Sequence, residues 1–251
     1  LLVISSFQVS FSKDILASVI TVFIFGMAFH AFSALLGHVL FKKYEDGKRK
    51  IMIVSTIYSN CGFMGFPILE SLFGKIGILL GSVYLATFYI FLWTNGVMVF
   101  TDKKKLDKDT IKNTLLNPGM ISVVIGLVLF LFSIELPYIP ARTLELVGSM
   151  TVPLSMLIVG GNLTGVNFRE LIKEPDLFYI SGIRLVLLPL AAYAALKLFG
   201  FSGTLLTVCV LVTAMPVAAI TNIFAEMYGG DVAFSSRIVA FSTLLSIITV
   251  P

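Results

Sequence analysis

Two stretches of the chain carry residue types suited to binding rather than to making and breaking bonds. Asn60-Cys61-Gly62-Phe63-Met64-Gly65-Phe66-Pro67 puts an asparagine, two glycines and a proline into eight residues, and Pro216 opens a second stretch that closes on Thr221-Asn222. Pro67 and Pro216 lack the N–H that a helix needs, and Gly62 and Gly65 tolerate non-helical dihedrals, so each stretch predicts an interrupted helix. An interruption exposes half-helix N-termini, whose unpaired N–H groups and partial positive charge attract anions. The amides of Asn60 and Asn222 and the hydroxyl of Thr221 add neutral donors that suit a carboxylate. Neither stretch contains the Asp or Glu that a cation antiporter would need. The expected substrate-binding set is Asn60, Cys61, Gly62, Gly65, Pro67, Pro216, Thr221 and Asn222.

Three ionisable residues inside apolar segments, Arg184, Arg237 and His30, are expected to compensate charge or couple protons. The ordinary reading of both arginines is snorkelling toward a nearby membrane face; the sharper one is that an arginine offsets an anionic substrate or stands in for a coupling cation. Arg237 is preferred, because its helix directly follows the second interruption. His30 lies near mid-membrane, where protonation would link it to a proton gradient, against the alternative of a neutral, hydrogen-bonded core histidine. Glu70 and Glu226 follow the interruptions but approach opposite faces, where solvation accounts for them. With only His30 and His38 and no HExxH or GxSxG, a hydrolase lacks its parts, and the chain is not read as an enzyme. Cys61 and Cys209 read as small apolar residues, so neither a metal nor a cofactor is expected.

The elements that hold these residues are set by composition. With 251 residues, 57% apolar and 13% charged, and a mean hydropathy of +0.99, the chain is all-α and membrane-integral. Apolar windows fall near 15–41, 51–73, 77–100, 118–138, 146–166, 177–200, 203–228 and 232–251. Loops on one side hold Lys42, Lys43, Lys48, Arg49 and Lys50, then Lys103, Lys104, Lys105, Lys108 and Lys112, then Arg169 and Lys173; the other side holds Lys13, Lys75, Arg142 and Lys197. That asymmetry places the chain in the cell membrane with loops 42–50 and 102–113 in the cytoplasm.

An internal repeat is the next expectation. One constant offset carries LLVISS at 1–6 onto MLIVGG at 156–161 and ILESLFG at 68–74 onto IFAEMYG at 223–229. Extended backwards, the offset implies that about one and a half helices precede Leu1, giving five helices per half. An odd number of helices inverts the second half relative to the first. The organisation is therefore read as a first inverted repeat at 1–100, a cytoplasmic linker at 101–117 and a second repeat at 118–251. Matched interruptions predict a polar cavity between them.

The segments NCGFMGFP and LWTNGV, the pair Asn117-Pro118, and AMPVAAITNIFAEMYGGD together resemble the auxin efflux carrier family of membrane transport proteins. The resemblance implies two inverted repeats of five helices with crossed, proline-broken helices, a fold shared with sodium/proton antiporters and bile acid symporters. It implies that the crossover asparagine is Asn60 and the crossover prolines are Pro67 and Pro216; Cys61 stands where many relatives carry Ser or Thr. The short central loop resembles bacterial members of the malate/malonate permease type. The implied function is secondary active transport of a small organic anion, a dicarboxylate or aromatic carboxylate, by alternating access. The competing expectations are a sodium- or proton-coupled symporter or antiporter and a sensory or anchoring domain without transport. Expected partners are the anion, the lipid bilayer and a second copy of the chain in a homodimer, with no nucleic acid.

Overall fold

The computed structural model describes residues 9, 12–101, 112, 116, 118–134, 136–161 and 171–250. Most of the linker at 101–117, with Asn117, and Arg169 fall outside the described residues. Within them the chain is helical: α1 (Lys13–Leu40), α2 (Asp46–Ile57), α3 (Phe66–Phe91), α4 (Val97–Thr101), α5 (Pro118–Leu131), α6 (Tyr138–Ser149), α7 (Thr151–Gly161), α8 (Pro175–Gly182), α9 (Leu188–Leu198), α10 (Gly203–Ala214), α11 (Ile220–Tyr228) and α12 (Val232–Thr249). Among the described residues, helix falls within each of the eight apolar windows. Five helical stretches among the described residues are long and apolar enough to cross a bilayer, while Pro118–Leu131 and Gly203–Ala214 are shorter apolar helices.

Local chemistry sets the ends of these helices. The Ser12 hydroxyl caps α1 by accepting from the Ile15 N–H at 3.2 Å, and the Asp231 carboxylate caps α12 through the Phe234 N–H at 2.9 Å. Gly229, left-handed at φ 70°, ends α11. Along the helices, hydroxyls donate back to the carbonyl four residues earlier, as Thr21 does to Ala17 and Thr207 to Gly203. Those bonds let exposed Ser and Thr face hydrocarbon without an unmet polar group.

One helix is really two. Gly74 has φ 56° and ψ −140°, and there α3 folds back on itself, ending the span that began before the first interruption and starting the next. A Cβ built on Gly77 would sit 2.5 Å from the Leu69 carbonyl oxygen. Eight residues along a straight helix would separate the two by about 12 Å. Gly77 and Gly81 form a GxxxG face that lets residues 66–73 lie directly on the returning arm. The core forms where α1 packs on α2 and α3, α3 on α10, α9 on α10, and α12 on α8 and α11.

Candidate functional site

The first interruption opens where α2 ends at Ile57 and Tyr58 turns extended, with φ −102° and ψ 111°. The second opens where α10 ends at Ala214 and Met215 turns extended, with φ −63° and ψ 147°. The two extended segments pair antiparallel, Ser59 opposite Val217. The Asn60 N–H donates to the Pro216 carbonyl at 2.8 Å, and the Ala218 N–H donates to the Tyr58 carbonyl at 3.0 Å. The Val217 N–H donates to the Ser242 hydroxyl of α12 at 3.1 Å. Backbone freed inside a bilayer must find partners, and here much of it finds the other break. The two interruptions thus meet in a main-chain pairing.

Pro67 plays a different part from the one expected of it. The chain leaves the helix at 58–60, before Pro67, which stands in the first turn of α3 behind a wide π-type turn over Cys61–Gly65. There the N–H groups of Met64 and Gly65 both donate to the Asn60 carbonyl, at 3.1 and 3.2 Å. Proline offers no donor to the carbonyl four residues back and crowds it, and a widened turn relieves that conflict. The same pattern recurs at Pro189, the second residue of α9, which follows a π-type turn over Ile183–Leu187.

That second wide turn carries Arg184, which does not snorkel. Its side chain is fully buried, and Nε donates to the Met215 carbonyl at 3.1 Å, one terminal nitrogen to the Thr56 carbonyl at 2.9 Å, and the other to the Thr213 carbonyl at 2.7 Å. The guanidinium therefore ties the last turn of α2 to the last turn of α10. Arg237, preferred on sequence grounds, lies elsewhere: its Nε pairs with Glu174 at 2.9 Å. Of the two arginines it is Arg184 that meets the interruptions.

The remaining expected residues divide. Asn60 is buried at the pairing. Cys61 is buried and free, Gly62 is half-buried, and Gly65 packs under Met215. Thr221 is fully buried with its hydroxyl unpartnered among the described residues, whereas the Asn222 carbonyl oxygen accepts from the Ser235 hydroxyl of α12. His30 is buried against Tyr84 and Phe91; its Nδ1 is 2.7 Å from the Gly26 carbonyl, so Nδ1 carries the proton, and Nε2 has no partner among the described residues. Glu70 and Glu226 are exposed.

Sequence reasoning missed a third wide turn, over Leu92–Gly96. The Tyr58 hydroxyl donates to the Phe91 carbonyl at its start, at 2.8 Å, and Trp93 packs against Phe224 of α11. This turn brings the Asn95 side-chain amide oxygen and the Trp93 indole N–H, both buried and without a partner among the described residues, alongside the interruptions. The segment LWTNGV, with a polar pair ahead of a glycine inside an apolar run, was the available signal. Ser242 carried none, since its role depends on a partner in the second interruption.

At one end of the bundle a charge cluster joins the starts of α2, α8 and α12. Lys48 pairs with Asp176 at 3.1 Å and Glu174 at 3.4 Å, Glu174 also holds Arg237, and the Lys48 ammonium sits over the Phe234 ring at 5.0 Å. Burial works against the Lys48 charge, but hydrogen bonds to Asp176 and Glu174 raise its pKa above the usual lysine value. Because the shift is upward, the stabilisation is intact at neutral pH and is lost only as pH rises through the raised value. Replacing Glu174 with glutamine removes the carboxylate shared by both cations. These groups are partly exposed, so the expected loss is only about 1 kcal/mol, read as a small drop in the melting temperature of the solubilised protein.

A groove of about 550 Å³ runs apart from the interruptions between α1 and α9, lined by apolar residues such as Phe25, Phe29, Ala192 and Leu196. Among the described residues, no group of three or more His, Cys, Asp or Glu could hold a metal ion. The whole chain, residues 1–251, matches the sequence profile of a family described as membrane transport protein. An uncharacterized transporter of Methanocaldococcus jannaschii is 26% identical over 227 residues, which cover 86% of this chain and 70% of that relative. An uncharacterized transporter of Methanothermobacter thermautotrophicus is 26% identical over 208 residues, covering 82% and 68%.

Proposed function

The chain belongs to the membrane transport protein family, a multi-span membrane protein of the permease type, and from that premise we propose that it is a secondary carrier of small organic anions. The anion, a dicarboxylate or aromatic carboxylate, binds where the two interrupted helices pair, with the loops 42–50 and 102–113 on the cytoplasmic side. One observation carries this reading: the paired segments Tyr58–Asn60 and Met215–Ala219 contain no carboxylate and rest on the buried cation Arg184. Such a place holds no acid to repel an anion, with neutral donors from Asn60 and Thr221 beside it, and its preference is for an anion over a cation. Arg184 takes the charge-compensating part in this scheme, and His30 is the proton-binding group. Inverted five-helix halves supply the two-sidedness that alternating access requires.

The test is uptake of radiolabelled carboxylates by liposomes that contain the full-length protein. Asn60→Ala combined with Asn222→Ala is expected to reduce uptake about tenfold, the loss of one or two hydrogen bonds to a charged ligand. Uptake equal to wild type in the double variant would sink the reading. A ligand that binds also raises the melting temperature by mass action, so a thermal screen of dicarboxylates and indole acids finds the substrate class independently.

A further inference from the structure

We propose that Arg184 is a built-in replacement for a coupling cation, so that the carrier closes its interrupted helices without binding sodium. The inference deepens the transport reading and rests on it. Three observations point to this role. Thr56 and Thr213 lie in the last turns of α2 and α10, and Met215 is the first residue past α10, so the guanidinium meets the C-terminal ends of two half-helices at once. Each such end presents carbonyls without intrahelical donors and a partial charge of about −0.5, so two converging ends amount to about one negative charge. Arg184 supplies one positive charge and directed N–H donors to three of those carbonyls.

In broken-helix transporters, carbonyls at half-helix C-termini are sites where a coupling cation is coordinated. Here the carbonyls are already taken. No salt bridge to Arg184 is found among the described residues, so its charge is balanced by helix ends rather than by an acid. The wide turn over Ile183–Leu187, set by Pro189, aims the side chain from α8 and α9 into the gap between α2 and α10. A guanidinium cannot leave as sodium does, so the tie it forms persists through the cycle and the anion carries the changing charge.

The experiment compares melting temperatures of the full-length protein in sodium, potassium and choline chloride at equal ionic strength, for wild type, Arg184→Ala and Arg184→Lys. Wild type is expected to melt at one temperature in all three salts. Arg184→Ala is expected to melt lower by on the order of 10 °C, to regain much of that with millimolar guanidinium, and to respond to sodium where wild type does not. Arg184→Lys should fall between, because an ammonium keeps the charge but not the fork of donors. Guanidinium rescue shows that the three hydrogen bonds are what Arg184 supplies, but a purely structural arginine would show no acquired sodium response, and its absence overturns the proposal. So does sodium-specific stabilisation of wild type. Should Arg184→Ala not be recoverable, the wild-type comparison decides alone: sodium-specific stabilisation overturns the proposal and indifference upholds it. Melting does not depend on substrate, so absent carboxylate uptake would fail the transport reading while leaving these outcomes readable.

Discussion

Replacing Ala218 with proline should reduce carboxylate uptake to background and lower stability by about 3 kcal/mol. The Ala218 N–H donates to the Tyr58 carbonyl at 3.0 Å, one of two main-chain bonds that join the interruptions, the other running from the Asn60 N–H to the Pro216 carbonyl at 2.8 Å. Proline deletes that donor and leaves the Tyr58 carbonyl, in a residue with no exposed surface, without its bond partner across the pairing. Neither water nor another strand is at hand at this depth to replace it. The ring also needs room at a position that is only 3% exposed. Ala218→Ser is the control, since it keeps the N–H and adds one small oxygen; it should retain uptake. Wild-type uptake by Ala218→Pro would mean that the pairing is incidental to transport. The measurement is initial uptake rate in liposomes beside the melting temperature of the same preparations.

The pairing also marks how far the sequence could be read. Prolines and glycines inside apolar windows announced both interruptions, because those residues act locally. Their position was less legible: the chain departs at 58–60, ahead of Pro67, since a wide turn absorbs the proline and moves the break toward the N-terminus. Arg184 was hardest to read. Its hydrogen-bond acceptors lie 128, 29 and 31 residues away and are backbone carbonyls, which any residue type supplies. A lone arginine two turns from a helix end looks the same whether it reaches for headgroups or for the ends of two other helices. Arg237 looked better by proximity to the second break, yet its partner Glu174 holds it at the charged end of the bundle. The all-α, multi-span character was legible for the opposite reason, since hydropathy sums over some twenty residues and survives local irregularity.

Gly77 offers the second large effect, and it tests whether the arm that carries Asn60 is held by packing. An alanine Cβ there would lie 2.5 Å from the Leu69 carbonyl oxygen and 2.8 Å from the Phe73 Cβ, atoms that cannot swing aside. At Gly81, four residues on, the nearest atom is the Leu69 Cδ1 at 2.5 Å, the free end of a side chain, followed by the Phe66 ring at 3.2 Å. Gly182 has nothing within 4 Å. Overpacking therefore predicts an order: Gly77→Ala loses about 3 kcal/mol, Gly81→Ala about 1, and Gly182→Ala close to none. For a chain of this size the first corresponds to a melting-temperature drop of roughly 10 °C. The consequence reaches the site, because residues 66–73 continue directly from the wide turn that hydrogen-bonds the Asn60 carbonyl. If the returning arm is pushed away from Leu69, that turn and the pairing beyond it must shift with the arm. Gly77→Ala should then lose uptake at temperatures where the protein is still folded, and Gly81→Ala should not. Equal melting temperatures and equal uptake for the two would show that the fold-back at Gly74 is looser than the glycine face requires.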